Sequence, residues 1–358
     1  MARKIRVDLG ANSYDITICR GLLSHVGEEV RALTDCRRIH LLTDENVAGL
    51  YAETVAQSLR QAGFTVSLQT LPAGESTKQL PYLAQIWSAM SAAGITRKDM
   101  LVTLGGGVVG DIGGFAAATF LRGISFVQVP TSLLAQVDSS VGGKVAIDLP
   151  EGKNLAGAFY QPKAVLIDPD VLDSLSNPLF EDGMGEVIKY GCIRSKTLFD
   201  ALKAAGGREG LRDAMEEIIA ECVDIKRQVV ENDERDTGER MILNFGHTLG
   251  HAIEVAQAYS GYSHGAAVAA GMHLITRIAE DKGLSPAGTA DAIAEILEMY
   301  HLPRSADPAL ADTMLRAVTK DKKNLGAALN VILLDEIGRC RIHPTTAEFF
   351  TEVSQWLK

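Results

Sequence analysis

Through roughly the first 170 residues, short apolar runs alternate with stretches in which apolar side chains recur at helical spacing. Residues 5–9, 14–19, 38–43, 64–71, 100–104, 126–129 and 165–167 read as strands, with helices such as 47–61 and 82–92 between them. This alternation predicts a largely parallel sheet covered by helices. Ligands of such sheets sit at the carboxyl ends of strands, so the loops after residues 43, 71, 104 and 129 are the places to search. From about residue 171 the period becomes helical, at 180–190, 211–230, 264–281, 287–300 and 309–319. An apolar run at 328–334, then Gly338 and a segment at 339–342, predicts a small hairpin inside this half. The expected division is an α/β domain over 1–170 and a mainly α-helical domain over 171–358, with any shared site in the cleft between them.

Composition narrows the partners. A chain of 358 residues exceeds the size at which one core keeps growing, which supports two domains. With 46% hydrophobic and 22% charged residues it has ordinary globular composition. The net charge of −10 argues against nucleic acid or an anionic membrane as partner, because both are held by clustered positive charge. Five cysteines (Cys19, Cys36, Cys192, Cys222, Cys340), odd in number and never spaced as CxxC, suggest a reducing compartment. The opening MARKIRVDLG has no apolar run of signal length behind it, and no run of about 18 apolar residues occurs. A cytoplasmic protein is expected.

Against this acidic background several polar residues form patterns. After the strand at 100–104 comes GGGVVGDIGGF, in which Gly105, Gly107 and Gly110 satisfy GxGxxG. Such a turn brings backbone N–H groups and a helix N-terminus to a pyrophosphate, although the motif falls about 100 residues in and no acid follows at the usual distance. A plain tight turn is the alternative. Asp44 ends a strand, as a ribose-binding acid would, and as a helix-capping aspartate would. PAGESTK (72–78) sets Glu75 and Lys78 in a turn that suits a polar ligand or merely the surface. Arg122, Lys144 and Lys153 lie among glycines where the backbone can bend toward an anion. In GMGEVIKYG (183–191), Glu186 and Lys189 share a helical face, and Lys226 and Arg240 flank an acidic run at 231–239. Finally, NFGHTLGHAIE (244–254) places His247, His251 and Glu254 on one helix face. That spacing suits zinc, and equally suits helix histidines satisfied by nearby carbonyls.

Taken together, PAGESTK, GGGVVGDIGGF, FLRG, VPTSLLAQVDSSVGGK, EGKNLAGAFYQP, GMGEVIKYG, DERDTGERMILNFGHTLGHAIE and DKKNLG span nearly the whole chain in order. In them the chain resembles the 3-dehydroquinate synthase family, NAD- and zinc-dependent sugar phosphate cyclases of the shikimate pathway. The resemblance implies a Rossmann-like NAD-binding α/β domain, a mainly helical C-terminal domain and a homodimer. It implies metal ligands Glu186, His247 and His264, holding zinc with cobalt as an alternative, and makes His251 a polar neighbour and Glu254 a structural residue. NAD would be held by Asp44, Glu75, Lys78, Gly106, Gly107, Asp111, Thr131, Ser132, Lys144 and Lys153. An anionic sugar phosphate would be gripped by Arg122, Lys144, Lys189, Lys226, Arg240, Asn244 and one lysine among Lys320, Lys322 and Lys323, with Asp138 and Asn154 completing the pocket. One departure stands out: family members commonly read HGE where this chain has His264, Gly265 and Ala266, so a carboxylate beside a metal-binding histidine is expected to be missing.

The implied reaction takes 3-deoxy-D-arabino-heptulosonate 7-phosphate through transient oxidation by NAD, phosphate elimination, re-reduction and aldol closure to 3-dehydroquinate. A metal-dependent polyol or alcohol dehydrogenase, a cyclase making inosose or valiolone rings, and a non-catalytic zinc- or nucleotide-binding protein are the rival readings. The first would accumulate NADH and has little use for so many cations around its substrate.

Overall fold

A computed structural model describes residues 2–325, 329–351 and 353–357, with side chains of 319–325 left out. By internal contacts the chain divides into two compact units, one of Met1–Leu175 with Lys226–Arg235 and one of Ser176–Ile225 with Asp236–Lys358.

Among its described residues the first unit contains nine strands: β1 (Arg3–Val7), β2 (Tyr14–Ile18), β3 (Arg38–Asp44), β4 (Thr65–Leu71), β5 (Met100–Gly105), β6 (Ser125–Pro130), β7 (Lys144–Leu149), β8 (Gly152–Phe159) and β9 (Ala164–Ile167). Seven form one sheet in the order β1-β2-β9-β6-β5-β3-β4, parallel throughout except for the β1–β2 pair. Every residue of β5 is buried, as a central parallel strand covered on both faces requires. From β3 the chain moves outward to β4 and then returns to place β5 on the other side of β3. The carboxyl ends of β3 and β5 therefore adjoin at the point where the winding reverses, which is where open parallel sheets bind ligands.

Small residues set the distance of the covering helix Gly107–Thr119. A Cβ at Gly113 would lie 2.4 Å from Thr103 Cγ2, one at Gly114 2.4 Å from Val145 Cγ1, and one at Gly110 2.8 Å from Gln128 Oε1. The helix thus rests directly on β5, β6 and β7, closer than a side chain would permit.

β7 and β8 form an antiparallel hairpin that is absent from the strands read by periodicity. Its period-2 signal is present: Val145 and Ile147 are buried between more exposed neighbours. The flanking glycines masked it.

In the second unit the main helices are Asn177–Arg194, Lys196–Ala205, most of Met215–Asn232, His247–Ala256, His264–Asp281, Thr289–Met299 and Ala311–Leu325. Lys196–Ala205 escaped the periodicity reading, yet it carries both punctuation marks of a helix. Ser195 Oγ accepts the Leu198 N–H at its start, and Gly206 closes it in a left-handed conformation at φ 67°. The expected hairpin is β10 (Leu329–Glu336) paired with β11 (Arg339–Thr345); its anticipated first residue, Ala328, lies outside the described residues. Among the described residues no helix is long and apolar enough to cross a membrane.

The glycine contacts predict the cost of filling them. Gly113→Val should lower stability by about 1–3 kcal/mol, read as an earlier urea midpoint; an unchanged midpoint would show that the helix has room to retreat.

Candidate active site

Along the carboxyl edge of the sheet, five of the positions singled out in the sequence fall at the ends of three adjacent strands. Asp44 ends β3, Gly106 and Gly107 follow β5, and Thr131 and Ser132 follow β6. Asp44 Oδ1 accepts the N–H groups of Asn46 at 2.9 Å and Val47 at 3.1 Å, so it caps the next helix; burial raises its pKa. Gly106 caps the glycine helix and Gly107 opens it. A Cβ at Gly106 would lie 3.4 Å from Ser132 Oγ, and one at Gly107 3.1 Å from Ser139 Oγ. No side chain stands at the N-cap, Gly106, or at the first helical residue, Gly107, and the helix start offers backbone N–H donors, the arrangement that receives phosphate. Thr131 is tied to this turn by its N–H, which donates to Gly105 O at 3.0 Å.

A charged network crosses the same unit. Lys78, almost wholly buried, places Nζ 2.6 Å from Asp111 Oδ2 and 3.9 Å from Glu75 Oε1. Burial alone would lower the Lys78 pKa, but the two carboxylates outweigh it and raise it, so the ammonium stays charged. Burial likewise raises the Glu75 pKa, against the opposing pull of Lys78 and Lys153. Lys78 O accepts the Asp148 N–H at 2.7 Å, and Asp148 Oδ1 accepts the N–H of Asn154 at 2.7 Å; Asn154 itself has φ 57°. These bonds tie the PAGESTK turn to the hairpin that carries Lys144 and Lys153. Arg122 is exposed at the end of the turn Phe120–Arg122 with φ 71°. Lys226, a residue of the first unit, forms an ion pair with Asp138 and donates to its backbone carbonyl at 2.6 Å.

The helical unit gathers a different chemistry. Glu186, fully buried, projects from Asn177–Arg194, while His247 and His264 are the first residues of their helices. Nε2 of His247 lies 3.7 Å, and Nε2 of His264 3.6 Å, from Glu186 Oε1. The three ligand atoms fall within 4.8 Å of one another. Two donors each about 2.1 Å from one tetrahedral ion would stand about 3.4 Å apart, and two imidazoles with one carboxylate are a donor set that zinc accepts with positions to spare. The residues fit a metal.

Glycine makes this gathering possible. A Cβ at Gly265 would lie 1.8 Å from Asp182 O, and one at Gly185 2.4 Å from Gly265 O, so the Glu186 and His264 helices meet backbone to backbone. A Cβ at Gly271 would lie 2.0 Å from Gly246 O, and one at Gly250 3.1 Å from Ala267 O, which does the same for the His247 and His264 helices. Asp182 Oδ1 also accepts the Gly265 N–H at 2.6 Å, fixing the start of that helix.

His247 Nδ1 lies 3.2 Å from Phe245 O. A carbonyl only accepts, so Nδ1 carries the proton and Nε2 offers its lone pair toward Glu186. Burial, with the nearby Lys189, His264 and His251, holds the His247 pKa well below the usual imidazole range, and the ring is neutral. For His264 burial is outweighed by Glu254, Glu186 and Asp182, and its pKa is raised. Lys189, buried on the Glu186 helix, forms an ion pair with that carboxylate. Arg240 is buried in the turn Glu239–Asn244, which ends at the exposed Asn244. His251 is exposed, its ring 5.4 Å from that of His247. The lysines of 320–323 lie outside the described side chains.

Ala266 carries no carboxylate, yet one reaches His264 from Glu254. Glu254 is 5% exposed and places Oε2 3.7 Å from His264 Nδ1, so a carboxylate does stand beside that histidine. It comes from the neighbouring helix, and its sequence signal was the i, i+7 relation of His247 and Glu254 on one helix face.

The fold is that of the sugar phosphate cyclases. A solved 2-deoxy-scyllo-inosose synthase, complexed with carbaglucose-6-phosphate, NAD+ and Co2+, superposes with a TM-score of 0.87 at 26% identity, covering 100% of both chains. A 2-epi-5-epi-valiolone synthase from Streptomyces hygroscopicus, with NAD+ and Zn2+ bound, superposes with a TM-score of 0.87 at 25% identity over 96% of each. The family profile of the 3-dehydroquinate synthase N-terminal domain matches residues 68–182, and that of the C-terminal domain matches 183–324. A 3-dehydroquinate synthase of Clostridium botulinum is 51% identical over 348 residues, 97% of this chain and 99% of that one. The chain belongs to the 3-dehydroquinate synthase family.

The backbone contact at Gly265 predicts that Gly265→Ala forces two helices apart. A loss of about 2–3 kcal/mol is expected, measured by thermal unfolding beside wild type, and a wild-type melting temperature would contradict it.

Proposed function

We propose that this protein converts 3-deoxy-D-arabino-heptulosonate 7-phosphate to 3-dehydroquinate and phosphate, a step toward the aromatic amino acids. The observation that carries the reading is the convergence of Glu186, His247 and His264 in a chain about half identical, along nearly all its length, to a 3-dehydroquinate synthase. Identity to the inosose and valiolone cyclases is about half that figure.

Glu186, His247 and His264 would hold zinc or cobalt. Asp44, Glu75, Lys78, Gly106, Gly107, Asp111, Thr131, Ser132, Lys144 and Lys153 would hold NAD. When bound, the metal supplies Lewis acidity toward adjacent hydroxyls and NAD a reversible hydride acceptor. Gly106 and Gly107 present the backbone N–H groups that receive the pyrophosphate, and the buried Lys78 stays charged to complement it. Arg122, Lys144, Lys189, Lys226, Arg240 and Asn244, with Asp138 and Asn154, bind and orient the phosphate and carboxylate of the substrate. Such a set suits a reaction in which an anionic group must be held through elimination, because fixed charges stabilise the departing phosphate without reorganising. The substrate phosphate itself accepts the proton, which explains why no separate base stands out. His251, beside His247 and exposed, is a polar participant. A homodimer in the cytoplasm completes the reading, and five free cysteines are compatible with that compartment.

The test is phosphate release from the heptulosonate phosphate, with and without NAD, before and after chelation. Release should require both NAD and metal, with no accumulation of NADH; release surviving the removal of both would overturn the proposal, and steady NADH build-up would favour a dehydrogenase. Glu186→Ala, His247→Ala and His264→Ala should each abolish metal binding, measured by elemental analysis after gel filtration. His251→Ala should retain metal while turnover falls on the order of 100-fold.

A further inference from the structure

His264 has two ring nitrogens, and the structure accounts for both. Nε2 faces Glu186 Oε1 at 3.6 Å, and Nδ1 faces Glu254 Oε2 at 3.7 Å. His247 is built alike, with Nε2 toward Glu186 and Nδ1 against a fixed acceptor, the Phe245 carbonyl. A metal-binding imidazole needs such an acceptor, because it fixes the tautomer and the ring plane and makes the coordinating nitrogen more basic. On its own helix the two residues that follow His264, Gly265 and Ala266, carry no side-chain acceptor. The carboxylate arrives from the His247 helix, which the glycine contacts at Gly246, Gly250 and Gly271 hold against the His264 helix. Glu254 is buried, so its oxygen is held close to the ring.

We propose that Glu254 is a positioning residue: it accepts the Nδ1 proton of His264 and thereby aims Nε2 at the metal. This rests on the reading of Glu186, His247 and His264 as ligands. Glu254, His251 and His264 could alternatively be three ligands of a second ion, since their donor atoms also lie within 4.8 Å of one another. That arrangement would use Nδ1 of His264 for the metal and leave it no proton to donate.

The test is Co2+ and Zn2+ affinity, by competition with a chromophoric chelator, for wild type, Glu254→Ala and Glu254→Gln. The amide oxygen of Gln can still accept from Nδ1, so this near-isosteric variant isolates the hydrogen bond from the packing. Glu254→Ala should weaken metal binding about 10- to 100-fold and alter the visible Co2+ spectrum, while Glu254→Gln should restore most of both. In the Zn2+-loaded wild type, long-range 15N–1H correlation should show His264 protonated at Nδ1. Wild-type affinity and spectrum in Glu254→Ala would overturn the proposal, as would two metal ions per wild-type chain or a proton-free Nδ1. A Glu254→Gln chain that folds yet binds metal no better than Glu254→Ala would overturn it too. Failure of the wild type to bind any metal would instead sink the ligand reading on which it rests.

Discussion

The helical unit depends on three helices approaching closer than side chains allow. Glu186, His247 and His264 lie far apart in sequence and on separate helices, and they converge because glycines stand where those helices touch. Close packing of this kind leaves little freedom to slide, since any relative movement drives backbone into backbone. The positions of these three donor atoms are thus a property of the crossings, and the same crossings carry Glu254 to the far side of the His264 ring.

In the α/β unit the corresponding constraint is topological. Reversal of the winding between β3 and β5 leaves a gap in the covering layer, and the polar residues that border it belong to loops after β3, β4, β5 and β6. Charges buried at this edge need partners within reach. Lys78, Asp111 and Glu75 meet that condition by pairing, and the backbone bonds through Asp148 bind the network to the hairpin.

Much of this was legible in the sequence. All seven strands of the main sheet appear within two residues of the segments picked by period and composition, since buried β-branched runs leave a strong signal. The β7–β8 hairpin was obscured because its glycines argue for a loop locally, and only packing of Val145 and Ile147 on the glycine helix decides for a strand. In NFGHTLGHAIE, helical spacing alone joined His247 to His251 on one face. Which nitrogens share a centre is decided by helix crossings, which a single helix cannot encode; Glu186 and His264 joined His247 only through family resemblance. The carboxylate beside His264 was sought at position 266 because sequence proximity is the only proximity a motif records. A residue ten positions upstream supplies it.

Lys189 has a consequence of its own. Its ammonium shares the buried carboxylate of Glu186, so that carboxylate has a counterion within the chain. An isolated buried carboxylate would be costly enough to take up a proton or open the fold. Here the counterion sits one turn along the same helix, so the charge of the carboxylate is balanced from within the chain. The close crossings at glycine and this ion pair together describe a helical unit whose buried charge and packing are both satisfied by its own residues.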